Sequence, residues 1–273
     1  MNIGRLFLLI ILAFLFSGCS AKQSSYVVYY KNADIQPVDS KIELLATDEF
    51  SPVFLGKAAT SNKDNAGHMG YVGGAGIIGF AAQIATHSML VDSSKSGEVS
   101  RKQEQANVVL ELYPSIEQIN LGTLLENELA LFPISSAASG LGSHYVQVIP
   151  VFYVSQDRER VELHAVIEAF SMQDENVLYR NVAKTYFQSA EIKDQDMQVI
   201  SSDLYVAAVS YAVQDMNSSL IEEDTRNKSY NFNGGFERGK KLASSCDHQV
   251  IRNLRGWIIA DITEASGSQC NLF

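Results

Sequence analysis

Three successive runs, Tyr145 to Val154, Arg160 to Phe170 and Val177 to Gln188, are β-rich, and the middle one alternates apolar and polar positions with a period of two. In the middle run Val161, Leu163, Ala165, Ile167 and Ala169 interleave with Glu162, His164, Val166 and Glu168, which predicts a strand with one buried face and one largely wet face. His164 falls on the wet face and is expected to be exposed. The connectors, 155–159 and 171–175, are short, polar and charged, so the three runs predict an antiparallel meander. A helical period then takes over. Leu204, Ala207, Ala208, Tyr211, Ala212 and Leu220 form a stripe to lie against that sheet, with Ser202 placed to cap its start. After a glycine-rich polar turn at Asn231 to Gly235, Gly256 to Ile262 reads as a last strand, and Trp257, the one tryptophan, as a core anchor.

Upstream, Tyr26 to Tyr30 is β-branched and aromatic and predicts a strand; Lys41 to Ala46 predicts a second after the break at Pro37. Ala106, Val109, Leu110 and Tyr113 recur at helical spacing up to Pro114, and Ile116 to Phe132 continues the pattern, which predicts two helices in series. The polar stretches Thr60 to Gly67 and Asp92 to Gln105, and the small-residue stretch Ser135 to Ser143, read as exposed connections. The expected fold is therefore α+β: a mostly antiparallel sheet, built as a three-stranded meander plus flanking strands, with helices packed on one face, in a single domain over residues 26–273.

Met69 to Leu90 stands apart, because it holds no charged residue and places Gly70, Gly73, Gly74, Gly76 and Gly79 close together. Three readings fit it. Gly74, Gly76 and Gly79 satisfy G-x-G-x-x-G with Asp92 near the expected offset, but a dinucleotide site needs a strand immediately before the first glycine, and only Tyr71 and Val72 precede Gly73 after a polar stretch. Glycines at spacings of three to five also suit a close membrane or oligomer contact between helices. The third reading is a small-residue helix packed inside an ordinary core, where something must offset the roughly 1 kcal/mol that each glycine costs a helix.

Catalytic patterns were tested in turn. Gly234 to Lys241 approaches a phosphate loop but carries Lys241 where a magnesium-binding serine or threonine is required. Gly140 to His144 lacks the far glycine of a nucleophile elbow. Asp194 with Asp196, Glu126 with Glu128, and Glu222 with Glu223 read as solvated carboxylates, and the five histidines form no zinc-binding spacing. No nucleophile, base and orienting group assemble, so neither an enzymatic activity nor a cofactor is expected.

The opening twenty residues set the compartment. Arg5 supplies a positive start, Leu6 to Phe16 an apolar run, and Ser17 and Gly18 a small-residue site before Cys19. The apolar run is about half of the roughly 20 residues that a spanning helix requires. Phe16-Ser17-Gly18-Cys19 resembles the lipobox of bacterial lipoproteins, with Phe16 in place of the usual leucine and Leu15 one place further back. That resemblance implies removal of residues 1–18, a lipid such as palmitate on Cys19, a tether over 19–25, and, with Ser20 in the next position, an outer-membrane address on the periplasmic side.

Such a compartment oxidises thiols, so Cys246 and Cys270 are expected to form a disulfide, since His248 alone does not complete a zinc site. A formal net charge of −10 opposes nucleic-acid binding. The expected role is a non-catalytic lipoprotein serving as a structural or accessory subunit of a cell-envelope assembly or export machine, held to the membrane through Cys19 and contacting a protein partner or itself. The alternative is a periplasmic carrier holding a small apolar or lipid ligand between sheet and helices.

Overall fold

The structure, a computed structural model, describes residues 27–32, 42–45, 52–57, 96–120, 134–135, 144–171, 176–232, 235–243 and 248–262. At its centre are three twelve-residue strands, β5 (His144–Ser155), β6 (Arg160–Ser171) and β7 (Val177–Gln188), paired antiparallel in sequence order. β-branched and aromatic residues are most frequent in β5 and β7, and the connection from β5 to β6 turns sharply at Arg158, whose φ is +64°.

The rest of the sheet departs from the expected fold class. β2 (Ile42–Leu45) and β3 (Val53–Lys57) both run parallel to β5 and share its outer edge, and β4 (Ile134–Ser135) runs parallel to β2. On the other side β11 (Ile258–Ile262) runs parallel to β7, while β1 (Tyr30–Lys31) pairs antiparallel with the same edge further along. β10 (Val250–Asn253), β9 (Gly235–Lys241) and β8 (Lys228–Phe232) then extend the sheet antiparallel, giving eleven strands among the described residues. The molecule is thus dominated by one mixed sheet, with two α-helices among the described residues, and the expectation of a mostly antiparallel α+β fold is corrected. Parallel neighbours need long crossovers, and the chain supplies them between β3 and β5 and between β7 and β11, whereas the hairpin signals of the sequence report only sequential antiparallel pairs.

α2 (Met197–Met216) lies against the middle of the sheet, where Leu204, Ala208 and Tyr211 are fully buried against β6 and β7. It begins at Met197 after Asp196, so Ser202 sits inside the helix and not at its cap. α1 (Ser96–Asn107) occupies the stretch expected as an exposed loop, and two 3-10 turns, Val108–Leu112 and Pro114–Gln118, stand where two α-helices were expected. Gly56 explains how α1 is seated. Its N–H donates to Asn107 Oδ1 at 2.8 Å, Gln103 Nε2 donates to its carbonyl at 2.9 Å, and a β-carbon there would collide with the Ala106 carbonyl.

Both faces of the sheet carry buried apolar clusters. The larger includes Val161, Leu163, Ala165 and Ile167 of β6 beneath α2; the smaller gathers Val27, Ile149, Val166, Val182, Tyr186, Phe232, Ile251, Trp257 and Ile259 on the opposite face. The expected wet face of the meander is therefore a second core. Periodicity correctly assigns which side each residue points to, but carries no information on what lies above that side.

Candidate functional site

On the face away from α2, adjacent strands bring a set of ionisable side chains together within that second core. Strand register decides the set. Tyr153 of β5, Glu162 of β6 and Tyr186 of β7 stand side by side, and one step along, Val151, His164 and Lys184 form the next rung. Lys57, at the end of β3, reaches across β5 and places Nζ 2.6 Å from both carboxylate oxygens of Glu162. Glu162 is 1 % exposed, far from the solvated surface the sequence implied. Glu168, further along the same face, is also buried and is bridged to Arg180 of β7.

Burial pushes the Glu162 carboxyl up, but His164 and the Lys57 ammonium outweigh it and hold its pKa down at about 2. Of the two partners Lys57 is the firmer. His164 Nε2 lies 3.4 Å from Glu162 Oε2 and is buried without a formed hydrogen bond. Burial lowers the His164 pKa to about 4, and the Lys184 ammonium opposite pushes the same way, so the imidazole is neutral at pH 7. This corrects the expectation of an exposed histidine: its side chain is 13 % exposed and packs against the Tyr153 ring, with centroids 4.7 Å apart.

Lys184 is itself lowered by burial, and its ammonium sits 5.2 Å from the centre of the Trp257 ring. Tyr153 is raised to about 12 by burial and by the Glu162 charge. The cluster thus sets two lysine amines around one carboxylate, with a neutral imidazole and neutral phenols beside them. It can hold a charge pattern or take up a proton, but none of these residues is a serine, threonine or cysteine that the imidazole could activate.

A second ionic centre lies on the helix face. Asp215, 4 % exposed near the end of α2, receives Arg252 Nη2 of β10 at 2.7 Å, the Tyr179 hydroxyl at 2.9 Å and Asn181 Nδ2 at 3.3 Å. Lys31 of β1 donates to the Asp215 carbonyl at 2.5 Å and to Ser218 Oγ at 2.8 Å. Two strands meet at the carboxylate and a third at the carbonyl of the same residue, which reads as a structural fastening at the end of the helix.

Other residues singled out from sequence find simpler roles. Asp194 Oδ1 accepts the Ser115 backbone N–H at 2.9 Å, and Asp196 accepts that of Lys193 at 3.4 Å, so the pair caps a turn. Glu222 and Glu223 are paired with Lys240 at 2.6 Å and Lys241 at 2.8 Å. Gly235 to Lys241 is strand β9, so it forms no phosphate loop. Trp257 is buried as expected, and its Nε1 donates to the Val27 carbonyl at 3.0 Å. Cys19, Cys246, Cys270, Gly70, Gly73, Gly74, Gly76 and Gly79 lie outside the described residues. Among the described residues no three His, Cys, Asp or Glu side chains are grouped to hold a metal ion, and no helix is long and apolar enough to cross a membrane.

The chain matches no family model, no curated protein and no solved structure. Function must therefore be argued from its own residues.

Proposed function

We propose that this protein is a non-catalytic lipoprotein, anchored through lipid on Cys19 to the periplasmic side of the outer membrane, that serves as a structural or accessory subunit of a cell-envelope assembly. The observation that carries this reading is the segment Leu15-Phe16-Ser17-Gly18-Cys19 at the end of an eleven-residue apolar run, Leu6 to Phe16. Support comes from the sheet. Its ionisable clusters are arranged as ion pairs and buried polar bonds between strands, an arrangement that fixes a scaffold. In the same reading Cys246 and Cys270 form a disulfide, and Met69 to Leu90 supplies the close contact to a partner chain or to the membrane.

The test is metabolic labelling with a radioactive fatty acid, followed by membrane fractionation, of the wild type and of Cys19→Ala. Label and membrane retention in the wild type, both lost in the variant, support the anchor; unlabelled wild-type protein in the soluble fraction rejects it. Native mass determination of the detergent-extracted wild type then reads the assembly. A discrete complex of defined stoichiometry is expected, and a bare monomer rejects the subunit role.

A further inference from the structure

The first described residues after the lipidation site are built into the sheet itself. The Val27 carbonyl receives Trp257 Nε1, Tyr30 and Lys31 pair with Arg180 and Tyr179, and Asn32 N–H donates to the Leu178 carbonyl at 2.8 Å. Gly256, at φ +83°, lies so close to Tyr29 that an added β-carbon would stand 2.8 Å from the Tyr29 β-carbon. These contacts bind Val27 and Tyr29 to the turn joining β10 and β11, and they place Val28 beside that turn.

Apolar side chains are exposed at this end of the sheet. Val28 is 68 % exposed and Leu254, in the turn, 63 %. Two cations accompany them. Arg255 follows Leu254 and lies 5.0 Å from the centre of the Trp257 ring, and the Leu254 N–H donates to the carbonyl of Arg238; both arginines are exposed. Exposed aliphatic groups beside arginines suit the boundary between lipid tails and anionic headgroups, and they stand out on a chain whose net charge is −10.

Chain length decides which surface this patch can meet. Val27 lies eight positions after Cys19, with seven residues between them, and eight extended steps span at most about 27 Å. A domain of this length is about 45 Å across, so a lipid on Cys19 keeps the end holding Val27 near the bilayer and leaves the far end out of reach. Attachment also raises the local concentration of headgroups, so that a weak contact is enough.

We infer that Val28 and the Leu254–Arg255 turn rest on the lipid surface, with the two aliphatic side chains among the headgroups and Arg238 and Arg255 facing lipid phosphates. This rests on the lipid-anchor reading above, and it adds that the protein has one orientation on the membrane. Trp257, the only tryptophan, lies directly beneath the patch and reports on it.

The test uses the lipidated full chain reconstituted into phosphatidylethanolamine–phosphatidylglycerol vesicles, with and without lipids brominated near the headgroup. Trp257 emission is expected to be quenched by the brominated lipid, and Val28→Ser/Leu254→Ser is expected to lower that quenching while unfolding at an unchanged midpoint. Leu254→Trp, which places a second indole in the turn, should shift its emission to the blue on reconstitution. The soluble Cys19→Ser chain should bind the same vesicles weakly, and about tenfold more weakly with both serine substitutions. If the lipidated protein floats with the vesicles but shows neither quenching nor the blue shift, the oriented contact is overturned and the anchor stands. If the protein carries no lipid and does not float, both fall.

Discussion

Glu162 and Lys57 meet where neither charge can be left alone: the carboxylate is 2 % exposed and the ammonium 22 %. Removing one partner leaves the other buried and unpaired, so Glu162→Gln should cost about 3 kcal/mol in urea unfolding, and the paired replacement Lys57→Met/Glu162→Leu clearly less. His164 sets a pH dependence. Its pKa is lowered from 6.5 to about 4, so the unfolded chain binds the extra proton in that interval. The associated stability is therefore present above pH 6.5 and lost as pH falls towards 4. Wild type should lose about 2 kcal/mol between pH 7 and pH 5, and His164→Gln should remove most of that slope, as read by urea midpoints at each pH. Glu162, also depressed, adds its loss only below about pH 4.5, so the two windows are separable. The sequence revealed that Glu162, His164 and Glu168 share a face, because alternation reports direction. It concealed their burial, because Lys57, Lys184 and Arg180 arrive from other strands.

Strand and helix boundaries were legible where the apolar pattern is dense. β5, β6 and β7 coincide with the three β-rich runs to within a residue or two, and β11 falls inside its predicted segment. β8 and β9, with sequences KSYNF and GFERGKK, were not recognised as strands, because near the margin of a sheet most of their side chains meet water, Phe232 excepted, and carry no apolar period. α1 escaped for a related reason. Ser96–Asn107 has only Val99 and Ala106 as larger apolar residues, too few for a stripe, and its place is fixed by Gln103 and Asn107 bonding to Gly56 beside the buried Ala106. Gly56 is accordingly the position where a single methyl should unseat an element. Gly56→Ala should destabilise the fold by about 3 kcal/mol or more, with loss concentrated in α1, and hydrogen exchange should show faster exchange at 101–107 than in β6. Unchanged protection there would mean that α1 is held by something other than this contact.

At the scale of the molecule, residues 27–31 also complete the sheet. β1 contributes two residue pairs to β7, yet around them Trp257 binds Val27, Lys31 reaches the end of α2, and Arg252 lies 5.4 Å from the Tyr29 ring centre while holding Asp215. These contacts join residues more than 180 positions apart, as from Lys31 to Asp215 and from Val27 to Trp257. Among the described contacts they close very long loops, whose entropic cost is high, so they are expected to hold only while the rest of the sheet is in place. A chain in which residues 20–31 are deleted should therefore still fold around β5 to β7 but lose about 4 kcal/mol, from the buried Val27 side chain and the bonds of Trp257 and Lys31. Thermal unfolding of the deletion reads the loss. A synthetic peptide of residues 20–32 added in trans should recover part of it by binding the vacated edge of β7. A deletion that melts with the wild type, and does not respond to the peptide, would make this segment a passive extension; the predicted loss would instead make β1 a working part of the fold, coupled to Asp215 and Trp257.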